Sequence, residues 1–98
     1  MEVIWTDRAR LRLKENYDYI AQDQQQNARN WVDRLIKRGD DIGEQPWAGR
    51  RVPEYDEDTI REVFQGDYRV IYAITSSCIY ILTARHGSQL LPLQISNV

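Results

Sequence analysis

Arg61, Glu62, Arg69, Arg85 and His86, in the company of several tyrosines, are the residues of this chain whose types and spacing could do chemistry on a phosphodiester. A base takes the 2′-hydroxyl proton, guanidinium groups hold the charge that builds on the phosphate, and an acid protonates the leaving oxygen. Glu62 or His86 could fill either proton-transfer role, with Arg61 or Arg69 as the clamp. Such a set would cleave RNA without a metal. The same residues also read as cross-strand ion pairing, Glu62 against a neighbouring arginine, with His86 closing a strand end, and spacing by itself favours this plainer reading.

Other chemistries drop out on residue types. One histidine and one cysteine, His86 and Cys78, lack the clustered spacing of a zinc or iron site. Glu54, Asp56, Glu57 and Asp58 could be imagined around magnesium, but a solvated acidic loop is the simpler account of them. No glycine-rich phosphate loop precedes a helix, and no GxSxG or Cys/His nucleophile pattern occurs. The sequence therefore predicts no metal and no cofactor.

The candidate residues are carried by the stretch Ile60 to Pro92, IREVFQGDYRVIYAITSSCIYILTARHGSQLLP. Gly66-Asp67 and Thr75-Ser76-Ser77 interrupt three runs rich in Val, Ile, Tyr and Phe, as in antiparallel hairpins. Alternation within the runs is partial. Tyr68, Val70, Tyr72 and Ile74 fall on one face and Ile71 and Ala73 beside Arg69 on the other; in the last run Tyr80, Leu82 and Ala84 oppose Ile79 and Ile81. Strands apolar on both faces need cover on both.

Upstream segments supply cover for one face. Val3-Ile4-Trp5 is a short strand, Thr6 a helix N-cap and Asp7 a favourable charge in the first turn. Ala9, Leu13, Tyr17 and Ile20 then mark a helix from about Asp7 to Gln22, with Arg8, Arg10, Arg12 and Lys14 spread around its solvated surface. Ala28, Trp31, Val32, Leu35 and Ile36 mark a second, from about Gln25 to Asp41, antiparallel to the first because the connection is short. Gly39, in its last turn, takes a place where another apolar contact could stand. Gln45 to Thr59 reads as a loop tacked to the core by Trp47. The prediction is an α+β fold: an N-terminal strand, an antiparallel helical hairpin, and a three-stranded antiparallel meander joined in one sheet with that strand. Its second face is left partly bare, for another chain to cover.

At 98 residues the chain is read as a single domain, residues 1 to 98. Thirteen basic against fifteen acidic residues give a net charge of -2, so the molecule offers polyphosphate no general attraction. An unpaired cysteine, the absence of a leader pattern and the short apolar runs predict a cytoplasmic protein that does not enter a membrane.

Over nearly its whole length the chain resembles the RelE/ParE superfamily of toxins from bacterial type II toxin-antitoxin modules. The points of match are the N-terminal VIWT; Ala9, Leu13 and Tyr17-Asp18-Tyr19-Ile20; Ala28, Trp31-Val32 and Leu35; the loop PWAGRRVPE from Pro46 to Glu54; and Arg61-Glu62-Val63, Tyr68-Arg69-Val70-Ile71-Tyr72, Ile79-Tyr80-Ile81-Leu82 and His86-Gly87. The resemblance implies two activities: RelE-like members cleave mRNA on the ribosome, whereas ParE-like members poison DNA gyrase. The PxxGRxVPE loop, the net acidity and the absence of lysine after Lys37 resemble the ParE side. Glu62, Arg69 and His86 resemble in type the acid, arginine and histidine of YoeB-like nucleases, which is the alternative reading. Ser88 and Gln89 stand where family members carry a basic pair, so a non-toxic antitoxin-binding member is a further alternative.

The resemblance also implies a cognate antitoxin that wraps the toxin into a hetero-oligomer. Leu11, Tyr19, Trp47, Tyr68, Tyr72 and Tyr80 are the candidates for that contact, and Arg61, Arg69, Arg85, His86 and Gln89 for contact with the target.

Overall fold

The computed structural model describes residues 1–98. In chain order the elements are β1 (Glu2–Trp5), α1 (Asp7–Ala21), α2 (Gln25–Asp40), β2 (Arg50–Arg51), β3 (Ile60–Gln65), β4 (Tyr68–Ile74) and β5 (Cys78–His86). They form one five-stranded sheet in the order β1-β5-β4-β3-β2. β2, β3, β4 and β5 are antiparallel neighbours, and β1 lies parallel to β5 with Glu2 opposite Cys78.

Thr6 joins the hairpin to the sheet. Its Oγ accepts the Ala9 N–H at 3.1 Å, capping α1, and donates to the Ile81 carbonyl at 2.8 Å. Ala9 and Ala28, both fully buried, keep the helices close to the sheet, and Leu35 fills the space between. Full burial of a side chain such as Leu35 stabilises the fold by roughly 1.5–3 kcal/mol. Gly39 belongs to this close approach, since a Cβ there would collide with the Trp5 ring. It marks where α2 touches the sheet edge, not a missing contact, and the Trp5 indole N–H reaches Asp40 at 3.1 Å.

The α+β arrangement predicted from periodicity is present, with three differences. Arg50 and Arg51 form a fifth strand inside the expected loop, opposite Glu62 and Arg61. A bulge at Leu82 follows from the pairing of Tyr72 with Ile81 and Ile71 with Thr83, so Ala84 turns to the helix side with Ile79 and Ile81. The second face, expected to be partly bare, is covered over part of its area by the chain itself, while Phe64 and Tyr80 on it stay exposed. Val52 and Tyr55 from the connection, with Leu91, Ile95 and Val98 from the C-terminal segment, pack on Ile60, Ile71, Ala73 and Leu82. These covering residues lie in segments without helical or strand periodicity, which is why alternation could not assign them.

The connection is anchored by Tyr72, not Trp47. The Tyr72 hydroxyl donates to the Pro46 carbonyl at 2.7 Å, and Gly49 passes so close to that hydroxyl that no side chain fits. Trp47 is 52% exposed, its ring lying under the Arg61 guanidinium. Further on, Asp56 adopts a left-handed φ of 50°, which aspartate tolerates, and its carboxylate takes Arg51 at 3.0 Å. No helix is long and apolar enough to cross a membrane.

Candidate functional site

Register decides which candidate residues can meet. Glu62 is opposite Ile71 and Arg69 is opposite Arg85, so all three charged residues share the face covered by the C-terminal segment. Tyr68 is opposite His86 and stacks edge-on against Trp31 of α2, so His86 belongs to the helix face. A one-residue step along a strand reverses the side-chain direction, and here that step separates Glu62 from His86 by the thickness of the sheet.

On the first face, Glu62 is almost completely buried and both its oxygens are taken, Oε2 by Arg50 Nε at 2.6 Å and Oε1 by Arg69 Nε at 2.5 Å. Arg69, itself buried, directs its two remaining nitrogens to Glu54 at 2.7 and 2.8 Å in a bidentate fork. Arg50, Glu62, Arg69 and Glu54 thus alternate in sign from the β2 edge across β3 and β4 to the connection. The hydrogen bonds from Arg69 hold the Glu54 carboxyl down to about 2, and the same contacts raise the affinity of Arg69 for its proton. A carboxylate held by two guanidinium groups is poorly placed to accept a substrate proton, and Arg69 has its donors committed to carboxylates.

On the helix face, a cleft of about 540 Å³ lies at the end of β4 and β5, lined by Glu15, Asn16, Tyr19, Tyr68, His86, Ser88 and Gln89. The Ser88 N–H donates to His86 Nδ1 at 3.1 Å, which makes Nδ1 an acceptor, and Ser88 Oγ lies 2.7 Å from the same nitrogen. Gln89 Oε1 accepts the His86 backbone N–H at 3.0 Å. Ser88 and Gln89 therefore fix the turn and the imidazole. Asn16 donates to the Arg12 and Ala84 carbonyls, tying α1 to β5 at the floor of the cleft. Glu15 and Asn16 were not among the residues singled out from sequence; only the helix-to-strand packing brings them to His86.

The remaining candidates are dispersed. Arg61 binds the Asp58 carbonyl and carboxylate, each at 2.8 Å, and the Gly49 carbonyl at 3.1 Å. Arg85 reaches the Leu90 carbonyl at 3.4 Å and an oxygen of Val98 at 3.2 Å, with no Asp or Glu side chain paired to it. Among residues expected to face a partner, Leu11, Tyr19, Trp47 and Tyr80 are exposed and Tyr68 is half-buried. Tyr72 is a correction: it is fully buried, because its ring lies on the helix side and its hydroxyl is spent on Pro46.

Residues 3–91 match the family model described as the ParE toxin of a type II toxin-antitoxin system, parDE. Among solved structures, one described as a chromosomal ParDE toxin-antitoxin system from P. aeruginosa is similar, with a TM-score of 0.74 and 18% identity over 88% of this chain and 95% of that chain. At that identity the likeness speaks for the fold. No curated protein sequence gives a significant match.

Proposed function

The chain belongs to the ParE toxin family of type II toxin-antitoxin systems, and on that premise we propose that it inhibits DNA gyrase without catalysing a reaction itself and is neutralised by a cognate antitoxin. The observation that supports a non-enzymatic reading is the division of Glu62 and Arg69 from His86 by the sheet. An acid and a base must flank one phosphodiester to cleave it, and these residues do not share a side. Glu62 and Arg69 are committed to each other and to Arg50 and Glu54.

Contact with the target falls in this reading to the helix-face cleft, where His86 and Gln89 sit beside exposed Tyr19. Contact with the antitoxin falls to the exposed apolar residues Leu11, Trp47 and Tyr80. The test is purified chain, released from its antitoxin, in parallel gyrase supercoiling and ribosome-programmed mRNA cleavage assays. Inhibited supercoiling with intact mRNA is the expected result, restored to normal by adding antitoxin. Cleaved mRNA with unaffected gyrase would establish the nuclease alternative instead, and inactivity in both, with harmless expression in an antitoxin-free host, a non-toxic binding protein.

A further inference from the structure

Glu15, Asn16 and Tyr19 fall at i, i+1 and i+4 on α1, so one turn of the helix carries all of them to the cleft at the ends of β4 and β5. No lysine or arginine lines that cleft, and Glu15 is its one acid. Arg12 takes Glu15 Oε2 at 3.0 Å from outside the lining, which leaves Oε1 without a partner. Asp67, whose carbonyl accepts the Gly87 N–H at 2.7 Å, adds a second negative charge at the adjoining turn.

The lining is rich in unused acceptors. The Asn16 amide nitrogen is spent on the Arg12 and Ala84 carbonyls, at 2.9 and 3.3 Å, and its Oδ1 stays free. The hydroxyls of Tyr19 and Tyr68 make no hydrogen bond within the chain. The donors left over are Gln89 Nε2 and His86 Nε2, and both are uncharged, because Gln89 is an amide and His86 accepts the Ser88 N–H at Nδ1. Aromatic rings stand among these oxygens. Tyr68 is held edge-on between Trp31 and His86, at 4.9 and 5.4 Å between centroids, and Tyr19 is 72% exposed. The faces of such rings attract cations.

We propose that this cleft is a receptor for a guanidinium group, an arginine side chain presented by a protein partner. A guanidinium is planar, stacks on aromatic rings, sheds its hydration more readily than an ammonium, and brings a fork of donors to the free oxygens of Glu15, Asn16, Tyr19 and Tyr68. Other occupants fit less well. A phosphate or carboxylate meets the charge of Glu15 and only uncharged donors. A nucleic acid carries phosphates wherever it carries bases, and the lining holds no cation to receive them. An apolar side chain strips water from the Glu15 and Asn16 oxygens and gives nothing back.

This inference rests on the reading that the cleft meets the target, and names the group on the target that it meets; its test separates the two. The full chain is titrated with a short capped peptide carrying a single arginine between glycines, with its lysine and citrulline counterparts, and with a single-stranded oligonucleotide, while NMR follows the ring resonances of Tyr19, Tyr68 and His86. The arginine peptide should shift these signals saturably and bind more tightly than the lysine peptide, and the uncharged citrulline peptide should not bind. Glu15→Gln and Tyr19→Ala should each weaken the arginine peptide by about fivefold. Asp18→Asn, which removes an equal charge from the same helix outside the lining, should leave it unchanged.

Equal binding of the lysine or citrulline peptide, shifts caused by the oligonucleotide and not by the arginine peptide, or wild-type affinity in Glu15→Gln overturns the proposal. Glu15 and Tyr19 are both exposed, so both variants fold. In the supercoiling assay, inhibition by wild type that is undiminished in both variants sinks this inference and leaves the gyrase reading standing. Wild type that binds the arginine peptide through Glu15 and Tyr19 yet leaves gyrase active sinks the gyrase reading and upholds the arginine site.

Discussion

Glu62 and Arg69 form an ion pair at 2.5 Å in which both side chains are buried, and each is held from its other side by a residue of opposite charge. A chain of this kind is most sensitive to the loss of a central member, because the neighbours keep their charge and lose their counter-charge. Glu62→Gln should therefore destabilise the protein by about 3–5 kcal/mol in urea unfolding. Under the non-enzymatic reading it should leave gyrase inhibition per folded molecule unchanged. A variant as stable as wild type would show that the network does not hold β2, β3 and β4 together.

Gly49 should not tolerate a side chain. A Cβ there meets the Tyr72 hydroxyl and the Glu62 carbonyl, so Gly49→Ala should cost about 1–3 kcal/mol. Tyr72→Phe removes the hydrogen bond to Pro46 and should cost about 1 kcal/mol. Because it also removes one of the two obstructing atoms, the double variant should be more stable than the sum of the two losses implies. Strict additivity in a double-mutant cycle would refute the steric account.

Acid stability should depend on Glu54. Its folded-state value lies near 2 against an ordinary 4.5, held there by Arg69. Between these two values the unfolded chain binds the proton and the folded chain does not, so stability is full above about pH 4.5 and is lost as pH falls towards 2. Glu54 is 43% exposed in its side chain, so solvent reduces the effect. Thermal melting of Glu54→Gln should be lower than wild type at neutral pH and fall less steeply between pH 4 and pH 2.5, a window set by that shift. Identical slopes in the two proteins would exclude Glu54 as the titrating group.

Ser88→Ala should release the imidazole. It removes the hydroxyl at 2.7 Å from Nδ1 while keeping the backbone donor, so the fold should change by less than about 1 kcal/mol. Proton NMR should show shifted His86 ring resonances. An unchanged ring environment would mean that the backbone N–H alone fixes the tautomer.

The two helices, the N-terminal strand and the meander were legible because repeated spacings record which side of each element is buried. Leu35 and Trp31, or Val70 and Tyr72, declare a face by where their apolar neighbours fall. Arg50 and Arg51 declare none: two residues are too few for alternation, and their strand exists only because Glu62 lies opposite. The same holds for Ala84, whose side is set by the extra residue at Leu82, and for Val98, whose burial depends on a fold already made. Within the candidate site, pairing of Glu62 with a nearby arginine could be foreseen from strand neighbours, whereas Glu54 joins them through the path of a long connection. The division of Glu62 from His86 needed the register.

The parallel seam between β1 and β5 has a consequence for how the molecule is made. Glu2 must wait for Cys78 before it can pair, so β1 stays unmatched until β5 has been synthesised. Trp5 and its strand travel as a loose lead while the helical hairpin forms behind them. The nascent chain thus completes this sheet edge only when its last strand arrives.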